Sequence, residues 1–76
     1  MKSEIILKQI PNADPEFLKI MEKQPEPSDE IREKVVDALP KLHDLFLKKR
    51  NAALCKDEQA FMSLVEQEVA LLEKIG

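Results

Sequence analysis

Glycine is almost missing from this chain, with a single residue at position 76, and tryptophan and tyrosine are absent. With one glycine, few positions favour the positive φ angles of tight hairpins, and without these aromatics the side-chain pairs that stabilise β-sheets are scarce. Phosphate-cradling loops also need glycines, so nucleotide binding of that kind is excluded. These absences favour an all-α fold.

Cysteine and long apolar runs are scarce as well. The lone Cys55 cannot form an internal disulfide, which is typical of a reducing compartment. The apolar run at residues 5–7 is too short for a signal peptide, and no stretch approaches the roughly 18 apolar residues that span a bilayer. We therefore expect a cytoplasmic protein with no membrane partner.

The composition that remains is that of a small folded domain. Hydrophobic residues make up 43% of the 76 and charged residues 36%, which is too apolar for a disordered chain. The net charge is −3, but residues 41–56 carry five basic groups and one acidic group, whereas residues 57–76 carry one and five. Because these adjoining segments have opposite charge, we expect them to neutralise each other as an antiparallel pair.

Helix start signals indicate that residues 1–28 contain short helices and not one long helix. Ser3 is a candidate cap for a short helix through Ile10, although residues 5–7 also suit a brief strand. Asp14 followed by Pro15 is a strong start signal for a second short helix. We expect short helices within residues 3–24 and a proline-rich linker over 25–28.

The next segment predicts one long helix over residues 29–55, opened by Ser28. Its apolar stripe keeps a helical phase across Pro40, so we expect a bend there, with a complete break as the alternative. The stripe consists of Ile31, Val35, Ala38, Leu42, Leu45, Phe46 and Ala53.

Asp57 is the expected cap of a last helix over residues 58–75, with Gly76 after it. About half of the helix surface is apolar, through Phe61, Met62, Leu64, Val65, Val69, Leu71, Leu72 and Ile75. The predicted fold is a small all-α helical bundle. Two short N-terminal helices pack on a long antiparallel helical hairpin, and residues 1–76 form a single domain.

No group of residues encodes a recognisable reaction. His43 and Cys55 are twelve residues apart, about 18 Å along a helix, so they cannot share a metal ion. We predict no catalytic, cofactor-binding or metal-binding residues and no enzyme activity. Nucleic-acid binding is also not expected, because the chain is acidic and lacks an aromatic surface for stacking bases.

Three polar residues each permit two interpretations. Glu68 lies near the apolar stripe of the last helix, where it either pairs with a basic residue across the hairpin or awaits a basic group on a partner. Cys55 is expected to be a small buried residue, with redox use as the alternative. His43 is either an ordinary boundary residue or a partner contact.

A second row on the long helix is the candidate partner-binding face: Val36, His43, Leu47, Arg50 and Leu54. Its spacing near 3.5 residues suits helix-in-groove recognition, which predicts a small interaction protein of the adaptor, chaperone or inhibitor type. Alternatively, residues 1–24 cover this row, or they leave the hairpin as a binding arm. A self-associating homodimeric bundle is the second functional hypothesis.

Overall fold

The computed structural model describes residues 1–75, which form four helices and, within that range, no strand. The helices are α1 (Ser3–Gln9), α2 (Pro15–Lys23), α3 (Asp29–Leu54) and α4 (Glu58–Ile75). Helix α3 packs against α4, and the short N-terminal helices pack on α3, which confirms the predicted all-α bundle. Residues 5–7 are helical, so the strand alternative is wrong. Gly76 lies outside the described residues.

The two N-terminal helices begin in different ways. Asp14 caps α2 as predicted, because its Oδ1 accepts a hydrogen bond of 2.9 Å from the Glu16 N–H, and Pro15 occupies the first turn. The predicted Ser3 cap is wrong, since Ser3 is itself helical and the capping position belongs to Lys2, whose side chain makes no capping hydrogen bond.

Helix α3 continues through Pro40 without interruption, so the alternative of a complete break is wrong. Pro40 is exposed, and because it has no N–H, the Val36 carbonyl lacks the helical hydrogen bond that it would otherwise accept. Ser28 is the N-cap residue, as expected, but its side chain makes no capping hydrogen bond.

The turn between α3 and α4 is closed by backbone hydrogen bonds. The Asp57 N–H donates to the Ala52 carbonyl over 2.9 Å, and the Lys56 N–H donates to the Ala53 carbonyl over 3.2 Å. This pair of bonds is the Schellman pattern, which places the left-handed residue at Lys56, with φ of 56°. Asp57 then caps α4 as predicted, its Oδ1 accepting from the Ala60 N–H.

Two buried groups lie on different sides of α3. One contains Met1, Ile6, Phe17 and Leu39, and joins the N-terminal segment to α3. The other is the row Ala38, Leu45 and Ala52, whose seven-residue spacing places it on one line of the helix. Lys49, next to this row, pairs with Glu68 of α4, so we assign the row to the α4 side.

The predicted stripe is therefore only partly the core. Ala38 and Leu45 are buried as expected, but Ala53 is exposed, and the stripe omitted the buried Leu39 and Ala52. The reason is that α3 is covered from two directions, so its best-buried positions lie at the two edges of the stripe and its centre is less covered.

Candidate interaction groove

An open groove of about 910 Å³ lies between α2 and α4. Its floor on α3 is formed by Ile31, Val35, Leu42 and Phe46, which are the half-buried members of the predicted stripe. One wall contains Phe17, Ile20 and Met21 of α2 together with the linker residues 24–28. The other contains Glu68, Leu72 and Ile75 of α4. The surface is predominantly apolar, as in sites that bind apolar partners.

A second depression of about 460 Å³ lies at the turn between α3 and α4. It is lined by Ala53 of α3 and by Phe61 and Met62 of α4, among others. Ala53 is seven residues after Phe46 and occupies the same row of α3. The apolar row of α3 thus has open space beside it at both ends, from Ile31 to Ala53.

Helix α4 leaves exposed a row of apolar side chains that begins at the second depression with Met62 and ends at the groove with Leu72. Met62, Val69 and Leu72 are 57%, 47% and 48% exposed, and Val65 between them is half-buried. Their steps of three, four and three residues form the seam typical of helix–helix contacts. No α4 residue is fully buried, because α4 packs on α3 along one side only. The sequence showed that half of α4 is apolar, but not which part would lack a neighbour.

An ion pair lies at the edge of the groove. The Lys49 Nζ is 2.6 Å from a carboxylate oxygen of Glu68, and both side chains are about one quarter exposed. The predicted pairing of Glu68 with a basic residue across the hairpin is therefore confirmed. Because each charge neutralises the other, the pair allows both side chains to lie beside the apolar floor.

His43, predicted in the partner-binding row, is engaged by α2. The backbone N–H of Asp14 donates a hydrogen bond of 3.0 Å to its Nε2. The Phe17 ring meets the imidazole edge-on, with ring centroids 5.0 Å apart. The imidazole is therefore the acceptor in one contact with α2 and the neighbour of an aromatic ring in the other.

Arg50, from the same predicted row, also contacts α2. Its Nη1 is 2.9 Å from Oδ2 of Asp14 and 3.4 Å from Oε2 of Glu16, and its guanidinium lies 5.6 Å from the Phe46 ring centroid. Partial burial of the Asp14 carboxyl opposes ionisation, but the hydrogen bonds from Arg50 and from the Glu16 N–H outweigh it and hold the Asp14 pKa below its usual value. The bond to Asp14 in turn raises the pKa of Arg50.

The other three residues of the predicted row have different surroundings. Val36 and Leu47 are half-buried, and Leu54 is 77% exposed. For His43 and Arg50, the alternative that residues 1–24 cover the row agrees with the structure. Whether the row binds a partner stays a prediction, but its five residues do not form one continuous open surface.

Cys55 is exposed, so the expectation of a buried cysteine is wrong; it follows the last residue of α3, beyond the packed part of the hairpin.

Within residues 1–75, no three ligand-type side chains are grouped as a metal ion would require. No helix in the same range combines the length and apolarity needed to cross a membrane.

No protein-family model, curated protein or solved structure matches this chain.

Proposed function

We propose that this protein is a non-catalytic interaction module that receives a helix of another protein in the groove between α2 and α4. The observation that carries the proposal is the groove itself, with an apolar floor on α3 and walls on two other helices. Two of the four helices, α1 and α2, are short. In a bundle of four long helices, a further long helix would occupy the space that is open here beside α3 and α4. Under this proposal the protein acts as a cytoplasmic adaptor, chaperone or inhibitor.

The shape and spacing of the groove favour a helix over an extended peptide. Successive floor residues Ile31, Val35, Leu42 and Phe46 are separated by four, seven and four residues, which is the period that an amphipathic helix matches with its own apolar side chains. Strand addition would instead require an exposed sheet edge, and residues 1–75 contain no sheet.

Site-specific photo-crosslinking in the native cell tests this function. A photoreactive residue at Val69, in the exposed α4 row one turn before the groove residue Leu72, should yield a defined adduct to another protein, whereas one at Glu33, on the far side of α3, should not. A circular dichroism spectrum must first show that both variants keep their helical content. Equal adducts from the two positions, or none from Val69, would contradict the proposal.

Self-association is the second candidate, and the exposed row of α4 is the observation that favours it. In a homodimer, this row of one protomer would cover that of the other. Sedimentation equilibrium over a range of concentrations separates the two functions. A dimer that Val69→Lys dissociates while the protomer stays folded would favour self-association over a groove for a different protein.

A further inference from the structure

The charges beside the exposed α4 row, which adjoins the groove at Leu72, distinguish between possible occupants. On α4, the exposed row formed by Met62, Val65, Val69 and Leu72 is flanked on its outer side by Glu66 and Glu73. These acids are seven residues apart, at the positions that contact the flanks of a partner helix in a coiled coil. Both are exposed, and among residues 1–75 neither forms an ion pair.

The remaining charges near the groove do not offset this acidic edge. Lys49, on the inner side of the α4 row, is neutralised by Glu68. On the linker, Glu26 lies at the groove, and its Oε2 is 3.8 Å from Nη2 of Arg32. At the far depression, the cation Lys56 is accompanied by Asp57 and Glu58. The exposed α4 row is therefore apolar along its centre and negatively charged along its outer edge.

We infer that the occupant of the groove is a basic amphipathic helix of another protein, with apolar side chains on one side and Lys or Arg flanking them; this rests on the proposed function. Its apolar residues cover the α4 row and the α3 floor, and its basic residues pair with Glu66 and Glu73. Opposite charges at these flanking positions select the partner and set its orientation.

A second copy of this chain fits the same surface poorly. If two α4 rows met, Glu66 and Glu73 of one copy would lie near acidic residues of the other, and such like charges repel. The chain does have a basic row on α3, at Lys34, Lys41 and Lys48. However, the apolar row next to it, which includes Leu45, is buried in the folded protein and is not available to a partner.

Two synthetic helical peptides of about 20 residues test the inference. They share leucines at the apolar positions and differ only at the flanking positions, which are lysine in one and glutamate in the other. We expect the lysine peptide to bind the full-length protein at least about tenfold more tightly at low salt, and to lose most of this advantage at high salt. Fluorescence anisotropy of labelled peptides measures both affinities.

A charge-reversed protein shows whether Glu66 and Glu73 cause the preference for the lysine peptide. Glu66→Lys with Glu73→Lys should reverse the order of the two peptides. The matched control, Glu33→Lys with Asp37→Lys, makes the same change of charge on the opposite side of α3 and should keep the original order. All four positions are exposed, so both double variants are expected to fold, which their circular dichroism checks.

The outcomes separate this inference from the proposed function. Equal affinity for the two peptides, or an equal effect of the two double variants, overturns the basic helix and leaves a helix-binding groove in place. If neither peptide binds and the protein is a monomer, the basic helix is overturned. If neither peptide binds and sedimentation shows a dimer that Val69→Lys dissociates, the proposed function is overturned as well.

Discussion

The backbone N–H of Asp14 donates a hydrogen bond to Nε2 of His43, which fastens the first turn of α2 to the middle of α3. The same aspartate caps α2 through its side chain and pairs with Arg50, two turns further along α3. Because α2 forms one wall of the groove, these contacts of Asp14, together with the buried Phe17, hold that wall in place.

Removing the imidazole should loosen this attachment. His43→Ala leaves the Asp14 N–H without its acceptor and Phe17 without its edge-on neighbour, so we expect a loss of about 1–3 kcal/mol in the free energy of unfolding. The control is Asp44→Ala, which removes only an exposed ion pair with Lys48 and should cost about 0–1 kcal/mol. Urea denaturation measures both, and equal costs would contradict the role of His43.

Asp14 should make stability depend on acid pH. Its pKa in the folded protein is below the ordinary value of about 4, so its contribution is fully present above that pH. As the pH falls through the folded pKa, the carboxylate is protonated and the contribution is lost. Asp14→Asn retains a capping side chain but no charge. The stability difference between the natural protein and this variant should therefore shrink as the pH is lowered from 5 to 2.

An exposed aspartate provides the comparison for this titration. Asp37 lies on α3 and has no ion-pair partner among residues 1–75. Its replacement by asparagine should leave the acid part of the stability profile unchanged. Parallel profiles for the natural protein and Asp14→Asn, measured by thermal melting at each pH, would argue against a stabilising Asp14 carboxylate.

Leu39 should be among the most costly residues to truncate. It is fully buried in the cluster that joins α1 and α2 to α3, so Leu39→Ala should lower the free energy of unfolding by about 2–5 kcal/mol. Leu54→Ala is the matched control, because the same side chain is 77% exposed there and its loss should change stability by less than about 0.5 kcal/mol. Similar costs in chemical denaturation would refute this placement of the core.

Lys56 holds a backbone conformation that glycine adopts more readily. At φ of 56°, its Cβ is crowded by the backbone, a cost of about 1–2 kcal/mol that glycine avoids. We expect Lys56→Gly to raise the free energy of unfolding by about 1 kcal/mol, despite the greater freedom of glycine in the unfolded chain. Lys56→Ala keeps the Cβ and should give no gain. Calorimetric melting compares the two, and a stabilised alanine variant would show that the lysine charge, not the φ angle, is responsible.

Local signals in the sequence predicted the helices well. The Asp14–Pro15 start, the Asp57 cap and the proline-rich linker each depend on atoms only a few residues apart, so neighbouring residues suffice to specify them. Serine was less informative at Ser3 and Ser28, because a capping hydrogen bond also depends on a side-chain rotamer that the sequence does not state.

The candidate site was much harder to predict. Periodicity identified the row from Ile31 to Phe46 as apolar, but an apolar row has the same spacing whether a helix covers it or leaves it open. Periodicity also made the row containing His43 and Arg50 a candidate partner-binding face. It could not show that Asp14 and Phe17 already contact this row, because they lie about 30 positions earlier in the chain.

Composition and local signals were enough to specify the all-α class, the order of the helices and the opposite charges of residues 41–56 and 57–76, because these depend on residues within a few turns of each other. Which apolar rows are buried and which line the groove could be seen only in the packed helices. That outcome depends on the angles at which α2 and α4 approach α3, and those angles result from the packing of side chains from distant parts of the chain.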